Sequence, residues 1–170
     1  MDITNFIQAF QNLNVNKTGR DTAPHKPILL LSVMDMIESG EITSSFVPIS
    51  EELQRRFRQN WRIYVPKTSR FNCALQYPFF HLSSSSFWHL IRTSEFEDKA
   101  PTSIKALKRN FKGAEIDRRL FEIMIGRKGR EELRNVLINT YLSDSHSIAA
   151  EPLLSALALF GMFDWLMMNA

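Results

Sequence analysis

Two segments of this 170-residue chain have residue types and spacing that point to chemistry: Ala23-Pro24-His25-Lys26-Pro27 and Tyr77-Pro78-Phe79-Phe80. In the first, an imidazole and an ammonium stand side by side between prolines, directly ahead of the apolar run Ile28-Leu29-Leu30-Leu31. Proline is favoured in the first helical turn, so Pro27 is expected to open a helix. His25 and Lys26 then fall at a helix start, where free backbone N–H groups favour phosphate. Lysine adds a compact point charge, and histidine adds a proton that titrates near neutrality. Those groups suit holding an anion. Taken alone, however, the first segment also fits an ordinary helix N-terminus. Tyr77-Pro78 likewise fits a strand-entry turn with Phe79 or Phe80 in the core.

Chemistry of other kinds finds no pattern. The four histidines, His25, His81, His89 and His146, form no HExxH, and neither a P-loop nor a glycine-rich dinucleotide fingerprint is present. Asp35 and Glu38 share one face of an apolar helix, but no nearby lysine completes a nuclease-type metal set. Cys73 is the sole cysteine, so an internal disulfide is impossible and a cysteine-based zinc site is not expected. The reading is therefore of a binding domain, not an enzyme, with no catalytic residues, no metal and no cofactor. The N-terminus lacks the basic and apolar regions of a signal peptide, which makes a cytoplasmic setting the default expectation.

The net charge is only +3, and the isoelectric point is near 9.2. Placement matters more than this total. Arg55, Arg56, Arg58, Arg62, Lys67 and Arg70 run without an intervening acid. A second basic run spans Lys99 to Lys112, and Arg127, Lys128 and Arg130 form a third. Clusters of this kind are the footprint of a phosphate-backbone binder, although solvated helix faces look the same.

The elements expected to position these residues are mostly helical. Asp2 reads as the cap of a first amphipathic helix to about Asn12, with Phe6, Ile7, Phe10 and Leu13 inward. Residues 14–23 read as an exposed polar loop. The helix from Pro27 is apolar on most of its surface, so it should be central, and Gly40 should end it. Phe46 to Ile49 reads as a short extended piece. Ser50-Glu51-Glu52 starts a third helix to about Ile63, with Leu53, Phe57 and Trp61 inward. Pro66 to Gln76 reads as irregular. Phe79–Leu82 and Phe87–Ile91 read as two strands joined by Ser83–Ser86 into a hairpin or wing. Three more helices are expected over about Ser103–Asn110, Glu115–Ile125 and Arg130–Tyr141. Trp61 and Trp88 are assigned to the core. The fold class is α+β, mostly helical: a helical core with a small antiparallel hairpin. Residues 1–170 read as one domain, and 143–170 form a C-terminal apolar helix that is either part of it or an appendage. Glu151, Pro152 and Asp164 make that stretch a poor membrane span.

Read together, APHKP-ILLL, YPFF-HL and the following Phe87-Trp88-His89-Leu90 resemble the sulfur-binding domain of phosphorothioate-dependent restriction endonucleases, McrA-like proteins of the HNH type. The likeness runs from the first helix to about Leu142. It implies recognition of duplex DNA in which sulfur replaces one non-bridging phosphate oxygen, within a short sequence context. Family members commonly carry an HNH nuclease domain after this one. No such motif is present here, so the chain reads as the reader part of a restriction system, with a nuclease attached elsewhere or supplied by a partner.

The resemblance implies His25, Lys26, Tyr77 and Pro78 as the phosphorothioate site. Sulfur makes that edge of the phosphate larger, softer and less hydrated, which suits the ring faces of Tyr77 and Pro78. The retained charge suits Lys26, with His25 beside it. Family members often have arginine as the cation, so this chain departs from the pattern at Lys26. Second-rank DNA contacts are Lys17, Arg20, Arg70, Asn72, Ser83, Ser84, Lys105 and Lys108. A homodimer on symmetric sites is a further expectation. Two other functions stay open: a winged-helix-like binder of unmodified DNA, and a protein-interaction domain that dimerises through the Ile148–Met168 helix.

Overall fold

The computed structural model describes residues 3–18 and 21–143. The Asp2 cap, Arg20 and the expected helix over Ile148–Met168 lie outside the described residues.

The chain begins with helix α1 (Ile3–Gln11), whose Phe6 and Phe10 are buried. Residues 14–23 are not simply a polar loop. Strand β1 (Lys17–Thr18) pairs antiparallel with β2 (Asp21–Thr22), and Ala23 is buried behind them.

Helix α2 (His25–Glu38) is the axis of the fold. Ile28 through Met34 are buried all round it. It starts two residues earlier than expected, so Pro27 is its third residue. That position still tolerates proline, because a first-turn N–H has no helical acceptor. Ser32, inside the helix, donates to the Ile28 carbonyl at 2.7 Å and so stays satisfied. The helix stops at Gly40, whose φ of 76° favours glycine.

Strand β3 (Phe46–Pro48) leads into helix α3 (Glu51–Tyr64). Ser50 caps α3 by accepting from the Leu53 N–H at 3.1 Å, as its sequence predicts. Leu53 and Phe57 face inward, but Trp61 is only half-buried.

The expected wing does not form. Residues 76–84 are helix α4 (Gln76–His81) followed by a 3-10 turn over Leu82–Ser84. Pro78, Phe79 and Leu82 are buried while Tyr77 and His81 are exposed, which is helical and not strand periodicity. Four residues of Phe-Phe-His-Leu cannot separate the two periods by themselves. Packing decides instead: the Trp88 indole donates to the Phe79 carbonyl at 3.0 Å.

Strand β4 (Trp88–Arg92) follows, then helix α5 (Ile104–Asn110) and strand β5 (Phe111–Ile116). The β-structure is thus a three-stranded antiparallel sheet in the order β3-β5-β4. Glu115 and Ile116 belong to its central strand and not to a helix start. Gly113 explains why the centre is narrow. A Cβ there would lie 2.4 Å from the Val47 carbonyl oxygen and 2.6 Å from the Phe46 ring. Helix α6 (Arg118–Ile125), capped by Asp117, and helix α7 (Arg127–Tyr141) complete the described fold. Helices α3, α4, α6 and α7 all pack on α2, and α1 packs on α7. The class is α+β and mostly helical, as expected, but the sheet is assembled from distant segments. Among the described residues no helix is long and apolar enough to cross a membrane.

Candidate nucleic-acid interface

Helices α2 and α4 both begin with two residues and a proline: His25-Lys26-Pro27 and Gln76-Tyr77-Pro78. The first helical hydrogen bonds come only after the prolines, from Ile28 N–H to Pro24 O at 3.0 Å and from Phe79 N–H to Leu75 O at 3.1 Å. The fold brings these two starts together. His25, Lys26, Tyr77 and Pro78 all line one open cavity of about 330 Å³. His81 and Ser84 line it too, one turn and two turns beyond Tyr77. Asn14, Val15 and Asn16 close another side, with Ala23 and Phe71.

Lys26 sets the electrostatics. Its residue is only 7% exposed. Its Nζ donates to Ser84 Oγ at 3.3 Å, and among the described residues no carboxylate pairs with it. Burial pushes its pKa below the usual lysine value. Ser84 in turn donates to the His81 carbonyl at 2.9 Å, so the hydroxyl is held as an acceptor toward the ammonium. His81 is also pushed down, first by burial and then by the Lys26 charge. An ammonium that is largely removed from water, with one neutral partner, favours an incoming anion.

His25 is held differently. Its Nε2 lies 2.8 Å from the Asn72 carbonyl. A carbonyl only accepts, so Nε2 carries the proton. The ring sits 4.7 Å from that of Trp61 and 5.8 Å from that of Phe71. Burial lowers its pKa, partly offset by the Asn72 bond. His25 therefore ties the 66–75 loop to the start of α2, and Trp61 serves as its backing. The core assignment holds fully for Trp88, at 1% exposure, but only in part for Trp61.

The apolar lip of the cavity comes from Tyr77, which is 45% exposed, and from the buried Pro78. A polarisable ring beside a cation is a surface for a large, soft, charged group.

The second-rank residues scatter. Lys17 is exposed on β1, next in sequence to the Asn14–Asn16 edge. Arg70 does not line this cavity. It pairs with Asp21 at 3.3 Å, lies over the Phe71 ring and lines a neighbouring cavity. Asn72 contributes its backbone carbonyl to His25. Ser84 is in the cavity, whereas Ser83 is exposed and donates to the Phe80 carbonyl at 2.7 Å. Lys105 and Lys108 are exposed on α5, which packs beside α4. The Gln76 amide donates to the Thr102 carbonyl at 3.3 Å along that seam.

Sequence reasoning missed His81, Phe71 and the Asn14–Asn16 edge. A signal for His81 existed, because Tyr77 and His81 are spaced i, i+4 and share a face if the segment is read as helix. Phe71 and the edge residues have no local signal. Among the described residues no group of three or more metal-ligating side chains gathers at one place.

The family of ScoMcrA-like DNA sulfur-binding domains matches the chain over residues 3–161. No curated protein matches it.

Proposed function

The chain belongs to the family of ScoMcrA-like DNA sulfur-binding domains and is a phosphorothioate-DNA reader module; from that premise we propose that the modified phosphate seats in the cavity between the starts of α2 and α4. Lys26 balances its charge. The rings of Tyr77 and Pro78 meet the sulfur edge, where weak hydration makes apolar contact favourable over water. His25 acts mainly by position, fixing Phe71 and Asn72 at the rim. Lys17, Arg20, Ser83, Lys105 and Lys108 are the flanking phosphate contacts in this reading. Arg70 contributes through the shape of the adjoining loop. The partner is sulfur-modified duplex DNA in a cytoplasmic restriction system. Cleavage falls to a nuclease domain elsewhere in the same protein or in a partner, and two copies engage a symmetric site.

The observation that carries this proposal is the buried Lys26, without an acid partner among the described residues, in one cavity with the exposed Tyr77 ring. A winged-helix reading has lost its support, since the hairpin it needed is α4 and a 3-10 turn. The experiment is a titration at one fixed salt concentration on two duplexes that differ by a single sulfur atom. Affinity for the modified duplex should be at least about tenfold higher, a difference of about 1.4 kcal/mol. Tyr77→Ala should bring the two affinities together by weakening only the modified one. Equal affinities for the parent protein would overturn the proposal.

A further inference from the structure

The arginines of α3 fall into two groups. Arg56 pairs with Glu41 at 2.6 Å and Arg55 approaches the same carboxylate at 3.7 Å. Arg58 and Arg62 are exposed, and among the described residues neither has an acid partner. They are spaced i, i+4, so they share one face of the helix.

That face adjoins the cavity. Arg58 and Arg62 bracket Trp61, three residues before it and one after. The Trp61 ring packs on the His25 ring at 4.7 Å, and His25 lines the cavity. Both guanidinium charges also act on Cys73, the residue after the one that holds His25. Two cations with no acid partner among the described residues therefore stand beside the Phe71–Cys73 rim.

We infer that Arg58 and Arg62 hold ordinary, unmodified phosphates of the same duplex next to the one in the cavity, extending the DNA footprint onto α3. This rests on the cavity's being the sulfur site. The two roles differ in chemistry: the cavity discriminates sulfur from oxygen, whereas guanidiniums on an open face contact any phosphate. Contacts of that second kind appear in the salt dependence of binding and carry no preference for the modification.

The test is the slope of log affinity against log salt for the double variant Arg58→Gln/Arg62→Gln, on modified and unmodified duplexes. Each phosphate contact contributes about 0.9 to that slope, so it should flatten by roughly 1.8. Affinity for both duplexes should fall by a common factor of about fivefold or more near physiological salt, with their ratio unchanged. Arg58→Lys/Arg62→Lys should keep most of the slope, which separates charge from disturbance of Trp61. An unchanged slope overturns the inference, and so does a collapse of the sulfur ratio with the slope intact. If the parent protein shows no sulfur preference but the slope still flattens, the cavity assignment fails and the α3 contact survives as a general DNA contact.

Discussion

The two ends of α2 handle charge in opposite ways. At its start, the buried Lys26 has a single serine hydroxyl as partner among the described residues. At its far end, every charge is answered. Arg134 meets Asp35 at 2.7 Å, and Asn60 donates to the other oxygen of the same carboxylate at 2.7 Å. Glu38 receives Arg130 at 3.1 Å and Arg134 at 3.4 Å. Arg130 also donates to the Met124 and Ile125 carbonyls, both at 2.9 Å, closing the end of α6. Asp35 and Glu38 are thus the bolts that join α2 to α3 and α7. A closed network stabilises one fold. An open charge leaves a position for something outside the chain. The contrast separates scaffold from site on one helix.

The largest effect expected of breaking this contrast lies at the closed end. Arg130→Met should lower unfolding free energy by about 3 kcal/mol, mostly because the buried Met124 carbonyl and the part-buried Ile125 carbonyl lose a charged donor. The half-exposed Glu38 pair adds little through solvent screening. Denaturant unfolding measures the loss. The folded fraction should bind modified DNA within about twofold of the parent, against a tenfold step that would mark a site residue. A large loss of affinity there would remove the distinction between the two ends.

At the open end the same kind of substitution should do the reverse. Lys26→Met removes a charge whose burial is unfavourable. Thermal or chemical unfolding should find the variant at least as stable as the parent. Its affinity for modified DNA should drop about thirtyfold, or about 2 kcal/mol. A variant that unfolds easily yet binds normally would recast Lys26 as a structural residue.

The smallest effect is in pH. His25 and His81 both have pKa values lowered in the folded protein, chiefly by burial. Below about pH 6.5, the ordinary histidine value, the unfolded chain therefore binds more protons than the folded one. Stability should fall as pH drops through that window. A bound anion favours the protonated rings, so affinity for modified DNA should rise over the same range, by under about 1 kcal/mol. Calorimetric titration in two buffers of different ionisation enthalpy should detect proton uptake on binding. Flat affinity with no uptake would mean that neither imidazole senses the phosphate.

Much of the scaffold is legible locally. The Ser50 cap, the first-turn acids Glu51 and Glu52, and inward Leu53 and Phe57 predict α3 almost to the residue. The uninterrupted apolar surface of α2 predicts its central place, and Gly40 its end. The segments around His25 and Tyr77 are also visible, because proline beside imidazole, ammonium and phenol is unusual in any window. The failures occur where a window holds too few residues to define a period. Phe79–Leu82 reads as a strand, whereas the segment is α4 and the start of a 3-10 turn, and that difference decides whether His81 shares the cavity. Strand β5 carries Gly113 and Ala114 at its centre, small residues with little strand preference. Only the close approach of β3 calls for them.

The sequence by itself determined the apolar axis, the Ser50 cap, the Gly40 stop, the basic runs and the two proline-led segments. These depend on neighbours within a turn or two, where steric and capping preferences act directly. Tertiary structure alone decided that the two segments meet. His25 reaches Asn72 across 47 residues, and Lys26 reaches Ser84 across 58. It also decided that Lys26 is buried with no acid partner among the described residues, while Asp35 and Glu38 are paired with arginines almost a hundred residues away. Pairing over such separations depends on how helices stack around α2. No local preference encodes that, because it is the sum of many packing contacts across the core.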